Sequence, residues 1–114
     1  MSGFVSTLNG LEPVYDYTAG TGSGATATLA ATAGVTYFVT GIYGFGDGDS
    51  ALTIKDGSTA IAEWYIDVSI DGGNFSYTGL WLPITPAAAA TGVLTASSAN
   101  CAITIQAARL SYAA

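Results

Sequence analysis

Ala62, Trp64, Ile66, Val68 and Ile70 share one parity, while Glu63, Tyr65, Asp67 and Ser69 share the other. Successive side chains of a strand point to opposite faces, so this alternation predicts a strand with one buried and one wet face. The pattern returns at Leu52 and Ile54, and again at Cys101, Ile103, Ile105 and Ala107. Between these runs lie the punctuators of a β protein. Asp56-Gly57-Ser58-Thr59 predicts a hairpin turn between Leu52–Lys55 and Ile61–Ile70, because Asp-Gly supplies positive φ. Ile61 is out of phase with Trp64, which predicts a bulge or a late strand start.

The remaining chain reads in the same way. Val14–Thr18 and Ala25–Ala30 are expected strands on either side of the Gly20–Gly24 loop, with a turn at Ala33-Gly34. Val35–Tyr43 is β-branched and aromatic on both parities and predicts a central strand, broken by a loop from Gly44 to Asp49. Asp71–Asn74 is a further turn. Phe75–Leu82 is an expected strand closed by Pro83 and Pro86, since proline is excluded from central ladder positions. Ala87–Ala90 has the composition of a helix but room for barely one turn, too short to stand alone. Val93–Ala96 and Cys101–Ala108 are the last strands. Short strands at this spacing predict an all-β fold, an antiparallel β-sandwich, jelly-roll-like, of about eight strands. The expected organisation is an arm or edge strand over 1–13 and one sandwich domain over 14–114.

Composition narrows the function classes. Of the 114 residues 50% are hydrophobic and 9% charged, which predicts a folded chain. No run approaches the roughly 18 apolar residues of a spanning helix, so no membrane partner is expected. The start, Met1-Ser-Gly-Phe-Val, lacks a basic region and an apolar stretch, and cytoplasmic synthesis is expected. A net charge of −6, with Lys55 and Arg109 the only cations, excludes a basic patch for nucleic acid. Cys101 lacks an internal disulfide partner and reads as a buried thiol.

Candidate chemistry is sparse. There is no histidine for acid–base work, and a serine or cysteine nucleophile would have only Lys55 or a carboxylate beside it. The eight acidic residues are spread over turns and wet faces as solubilising charge. Gly46-Asp47-Gly48-Asp49-Ser50 resembles the opening of a calcium loop, but the later ligands of such loops do not follow, and a β-turn cluster is the plainer reading. No enzyme activity, cofactor or metal is expected. Trp64, Tyr65, Tyr77, Trp81, Tyr37 and Tyr43 could in part form a platform for sugar rings, with Tyr65 the best candidate for exposure; core packing is the commoner use of such residues.

Val39–Ile42, Leu52–Thr59, Ala62–Val68, Leu80–Pro83 and the closing Leu94-Thr-Ala and Ala102–Ala107 runs together resemble a known group. It is the β-sandwich cement or decoration proteins on the outside of tailed-phage heads, and the resemblance covers about Val35 to Ala108. It implies binding without chemistry: a homo-oligomer, commonly a trimer, on the capsid surface of a virion. Such proteins clamp neighbouring subunits of the major capsid protein, often through an N-terminal arm. Phe4, Val5, Leu8 and Leu11, spaced apolar residues in a Gly, Ser and Thr setting, are the candidate partner-binding residues. The alternatives are a tail or fibre component, or a carbohydrate-binding sandwich using Tyr65, Tyr77 or Trp81.

Overall fold

Strand alternation is carried through in a computed structural model, which describes residues 11–21, 24–67, 73–96 and 100–111. Nine strands are present among them: β1 (Leu11–Thr21), β2 (Gly24–Leu29), β3 (Val35–Gly46), β4 (Ser50–Asp56), β5 (Thr59–Ile66), β6 (Asn74–Tyr77), β7 (Leu82–Pro83), β8 (Ala90–Ala96) and β9 (Asn100–Ser111). They form two sheets. The larger runs β1-β9-β3-β6, with the two-residue β7 also on β3; the smaller runs β2-β8-β4-β5. Every pairing is antiparallel. The chain switches sheet at most connections, and two interlocked four-strand orders of this kind make a jelly roll.

Between the sheets lies one apolar layer. Val39, Ile42, Ile103 and Ile105 from the larger sheet meet Leu52, Ile54, Ile66 and Leu94 from the smaller, all essentially sealed from solvent. Each such side chain contributes about 1.5–3 kcal/mol on burial. The buried Tyr37 ring keeps its hydroxyl satisfied by donating to the Ala30 carbonyl at 2.8 Å. Cys101 is a buried free thiol. Trp64 packs against the core with its ring stacked on Tyr77, centroids 4.6 Å apart.

The β4–β5 hairpin forms at the expected turn, but β5 runs Thr59–Ile66 and not Ile61–Ile70: Asp67 is already outside it, and Val68 to Ile70 lie outside the described residues. Asp56 pairs with Thr59 across Gly57-Ser58, and Gly57 takes φ +60°. The register shifts between Ile54 and Lys55, so Ile61 is the extra residue of a bulge. Ala87–Ala90 is not a helix. Ala87 occupies a turn in which the Ala88 N–H donates to the Thr85 carbonyl at 3.0 Å, and Ala90 already belongs to β8.

Four further expectations are corrected. β3 does not end at Tyr43. It runs to Gly46, pairing Gly44 with Ile103 and Phe45 with Ala102. Gly44 marks a close approach of two strands and not a loop, since a Cβ there would lie 2.0 Å from the Ala102 carbonyl oxygen. The single strand expected over Phe75–Leu82 is two short pieces, β6 and β7. A bulge in β3 between Val39 and Gly41 adds a residue opposite the break, and the Thr40 carbonyl there accepts the Leu80 N–H at 3.0 Å. Pro83 does not close the strand but lies within β7, where an edge position leaves its missing N–H without consequence. β1 begins at Leu11, so Leu11, Glu12 and Pro13 are already paired in the larger sheet.

Candidate assembly face

The two outer faces of the sandwich differ in chemistry. On the smaller sheet the outward positions carry Lys55 and Glu63 among threonines 26, 28, 53, 91 and 95, with Ala51, Tyr65 and Val93 between them. That is an ordinary solvated surface. On the larger sheet the registers place Leu11, Leu110 and Thr36 in one outward row. Pro13, Ala108, Phe38 and Pro83 form the next, followed by Tyr15, Gln106 and Gly41. Beyond them come Tyr17, Thr104, Tyr43 and Ser76, then Ala19, Ala102, Phe45 and Asn74. No outward position in these rows is charged.

β1 shows how this surface arises. Its even positions, Glu12, Val14, Asp16 and Thr18, have the parity that faces the second sheet. Its odd positions put Tyr15 and Tyr17 into solvent at 71% and 59% exposure. The strand thus turns its more apolar side outward. Asp16 is not wasted on the inner parity. Its carboxylate accepts the Thr28 N–H at 3.0 Å and so ties β1 to the edge of the other sheet. Inward-pointing charge is also one of the devices by which edge strands resist pairing with foreign strands.

Small residues form the floor between these rings. Ala102 and Thr104 point outward on β9 yet are only 4% and 7% exposed, flanked in register by Ala19 and Phe45 and by Tyr17 and Tyr43. Gln106 continues the same line and donates to the Tyr43 hydroxyl at 3.4 Å. Beside it the bulge in β3 opens a depression of about 310 Å³ lined by Pro13, Val14, Tyr15, Thr40, Gln106 and Ala107. At one border Trp81 stacks on Phe38 with ring centroids 4.8 Å apart.

The residues singled out from sequence fall elsewhere. Phe4, Val5 and Leu8 lie outside the described residues. Leu11 is exposed at the start of β1, opposite Leu110 on the charge-free face. The proposed sugar platform does not assemble. Tyr65 is exposed on the smaller sheet, Trp81 lies by the larger, and Tyr77 is stacked between Trp64 and Phe75. Asp47 is bound up with backbone: its N–H donates to the Asn100 carbonyl at 3.3 Å, and its carboxylate accepts the Asn100 N–H at 3.5 Å. Asp49 accepts the Tyr65 hydroxyl at 3.3 Å. The negative charge of Asp49 is the main reason that the Tyr65 phenol is raised above its ordinary 10.0; desolvation, that hydrogen bond and Asp67 add to it. Among the described residues no three His, Cys, Asp or Glu side chains gather as a metal site would require.

Sequence reading missed Tyr15, Tyr17 and Phe45 as surface residues. A signal was present, since the odd positions of β1 and the even positions of β9 are both free of charge. Only the strand order shows that these two uncharged parities lie side by side.

No family model matches the chain, and no curated protein matches it. Among solved structures the chain is similar to one from work titled "Bacillus endospore appendages form a novel family of disulfide-linked pili". The TM-score is 0.49 and the identity 16%, over 90% of this chain and 91% of that one. A likeness of that degree is too slight to carry an argument about function.

Proposed function

We propose that this chain is a non-enzymatic structural protein of a virion, a decoration protein that works as a homo-oligomer, with three copies the expected number. It binds between subunits of the major capsid protein on the head surface. Its contribution is buried interface across seams that packaged DNA strains. Several simultaneous contacts from one oligomer convert weak individual binding into avidity.

One observation carries the reading: a whole sheet face without charge, on a chain that carries net charge −6. Interface cores are depleted of charge and enriched in aromatic residues, and that is the composition of the β1-β9-β3-β6 face. The opposite face, with its threonines, Lys55 and Glu63, suits water.

Antibody raised against the purified chain tests the proposal on virions from its source. Labelling spread over the heads is the expected result. Labelling confined to the tail or its fibres transfers the chain to those parts, and virions that stay unlabelled sink the proposal.

A further inference from the structure

We infer that the occupant of the outer β1-β9-β3-β6 face is a second copy of this chain, and not the coat protein. The inference rests on the structural reading above and names the partner of that face. Its first support is electrostatic. Copies of one chain bring the same set of charges to a shared contact, and with eight acidic residues against two basic ones a charged self-contact would mostly set carboxylate against carboxylate. Like charges placed across an interface suppress association. A self-contact is therefore favoured where carboxylates are missing. The rows from Leu11, Leu110 and Thr36 to Ala19, Ala102 and Phe45 are such a place. A different protein could instead answer carboxylates with its own cations, and Asp49, Glu63 and Asp67 lie away from this face for that purpose.

Area is the second support. β1 pairs with β9 over its full 11 residues. At about 3.4 Å per residue and 4.8 Å between strands, β1, β9, β3 and the short outer strands present about 670 Å² in projection. Projecting rings raise the accessible area above that figure. A standard interface takes about 800 Å² from each partner, about a tenth of a small protein's surface. The face therefore has the size of one ordinary subunit contact.

Shape is the third. The exposed rings of Tyr15 and Tyr17 stand on the same surface as the depression beside Gln106. Projections and a hollow on one face allow copies to interlock.

Light scattering on the whole chain over a wide concentration range tests this, with Tyr17→Lys and Tyr17→Ser on the face and Thr95→Lys on the opposite sheet. The wild type and Thr95→Lys are expected to share one multimeric mass. Tyr17→Lys should run as a monomer, its association midpoint shifted at least a hundredfold in concentration, with an unchanged circular dichroism spectrum. Tyr17→Ser should shift less and in the same direction; it gives the reading should Tyr17→Lys not fold. A wild type that is monomeric at every concentration overturns the inference. So does a multimer whose mass neither Tyr17 variant disturbs, or a monomer whose tyrosine fluorescence responds to soluble oligosaccharides. Virion labelling reports separately. A labelled head with a monomeric protein removes the self-contact and leaves the decoration role, and the reverse result does the opposite.

Discussion

Ala87 sits at φ +66°, in the left-handed region, after Pro86 in a turn closed by the Ala88-to-Thr85 hydrogen bond. Proline followed by positive φ is the geometry of a type II turn, whose third position favours glycine. An L-residue pays about 1–2 kcal/mol for that conformation, whereas glycine loses more chain entropy on folding. Ala87→Gly is therefore expected to stabilise the fold by up to about 1 kcal/mol, read from the urea midpoint at constant slope. Tyr65 carries a pH effect of the same local kind. Its raised pKa belongs to the neutral phenol, so the associated stability is complete below the ordinary value of 10.0. It is lost as pH rises through the folded-state value, where tyrosinate faces Asp49. Tyr65→Phe should flatten this alkaline loss: melting temperature should fall less steeply above pH 10 than in the wild type. Equal slopes for the two proteins would remove the Asp49 explanation.

Strands were legible one at a time where their chemistry was local. The β4–β5 hairpin, its bulge at Ile61 and the inward run of β9 all follow from alternation and turn residues that lie within a few positions of each other. Misreadings occurred where a distant strand decides. Gly44 has the composition of a breaker, yet it is needed in β3 because β9 passes so close. Gly44→Ala is expected to cost about 3 kcal/mol, the upper end for overpacking, since the group it would strike is a backbone carbonyl that cannot rotate away. Chemical denaturation checks it; a loss below about 0.5 kcal/mol would mean that the strands part more easily than their register implies. The division of β6 from β7 lies opposite the bulge at Thr40; Gly79, at φ +71°, is the local residue that makes the break, but only the β3 register shows why it is needed there. A comparable long-range tie joins the end of the β4–β5 hairpin to the approach to β8. The Asp56 carboxylate accepts both the Thr85 N–H at 3.1 Å and the Thr85 hydroxyl at 2.7 Å.

At the scale of the whole molecule, the stability lies in the layer between the sheets and the candidate function on the outside of one of them. Ile105 is fully buried at the centre of β9, between Asp16 on β1 and Ile42 on β3 in register. Ile105→Ala should cost about 2–5 kcal/mol in denaturant unfolding, through lost burial and the cavity left behind. The amino-acid sequence alone determined that the chain is a two-sheet β protein, because burial imposes a period of two on each strand and glycine and proline punctuate the turns. It also determined that the chain is poor in charge and in reactive groups, which are properties of composition. Only the tertiary structure decided where the poverty in charge is concentrated. Parity assigns a residue to one side of its own strand but is silent about which strands are neighbours and which side faces the second sheet. β1 makes the point: its apolar parity reads as the core side, yet Tyr15 and Tyr17 face out and Asp16 has the inner parity. Strand order alone sets the uncharged sides of β1, β9 and β3 next to one another and turns scattered tyrosines into a face.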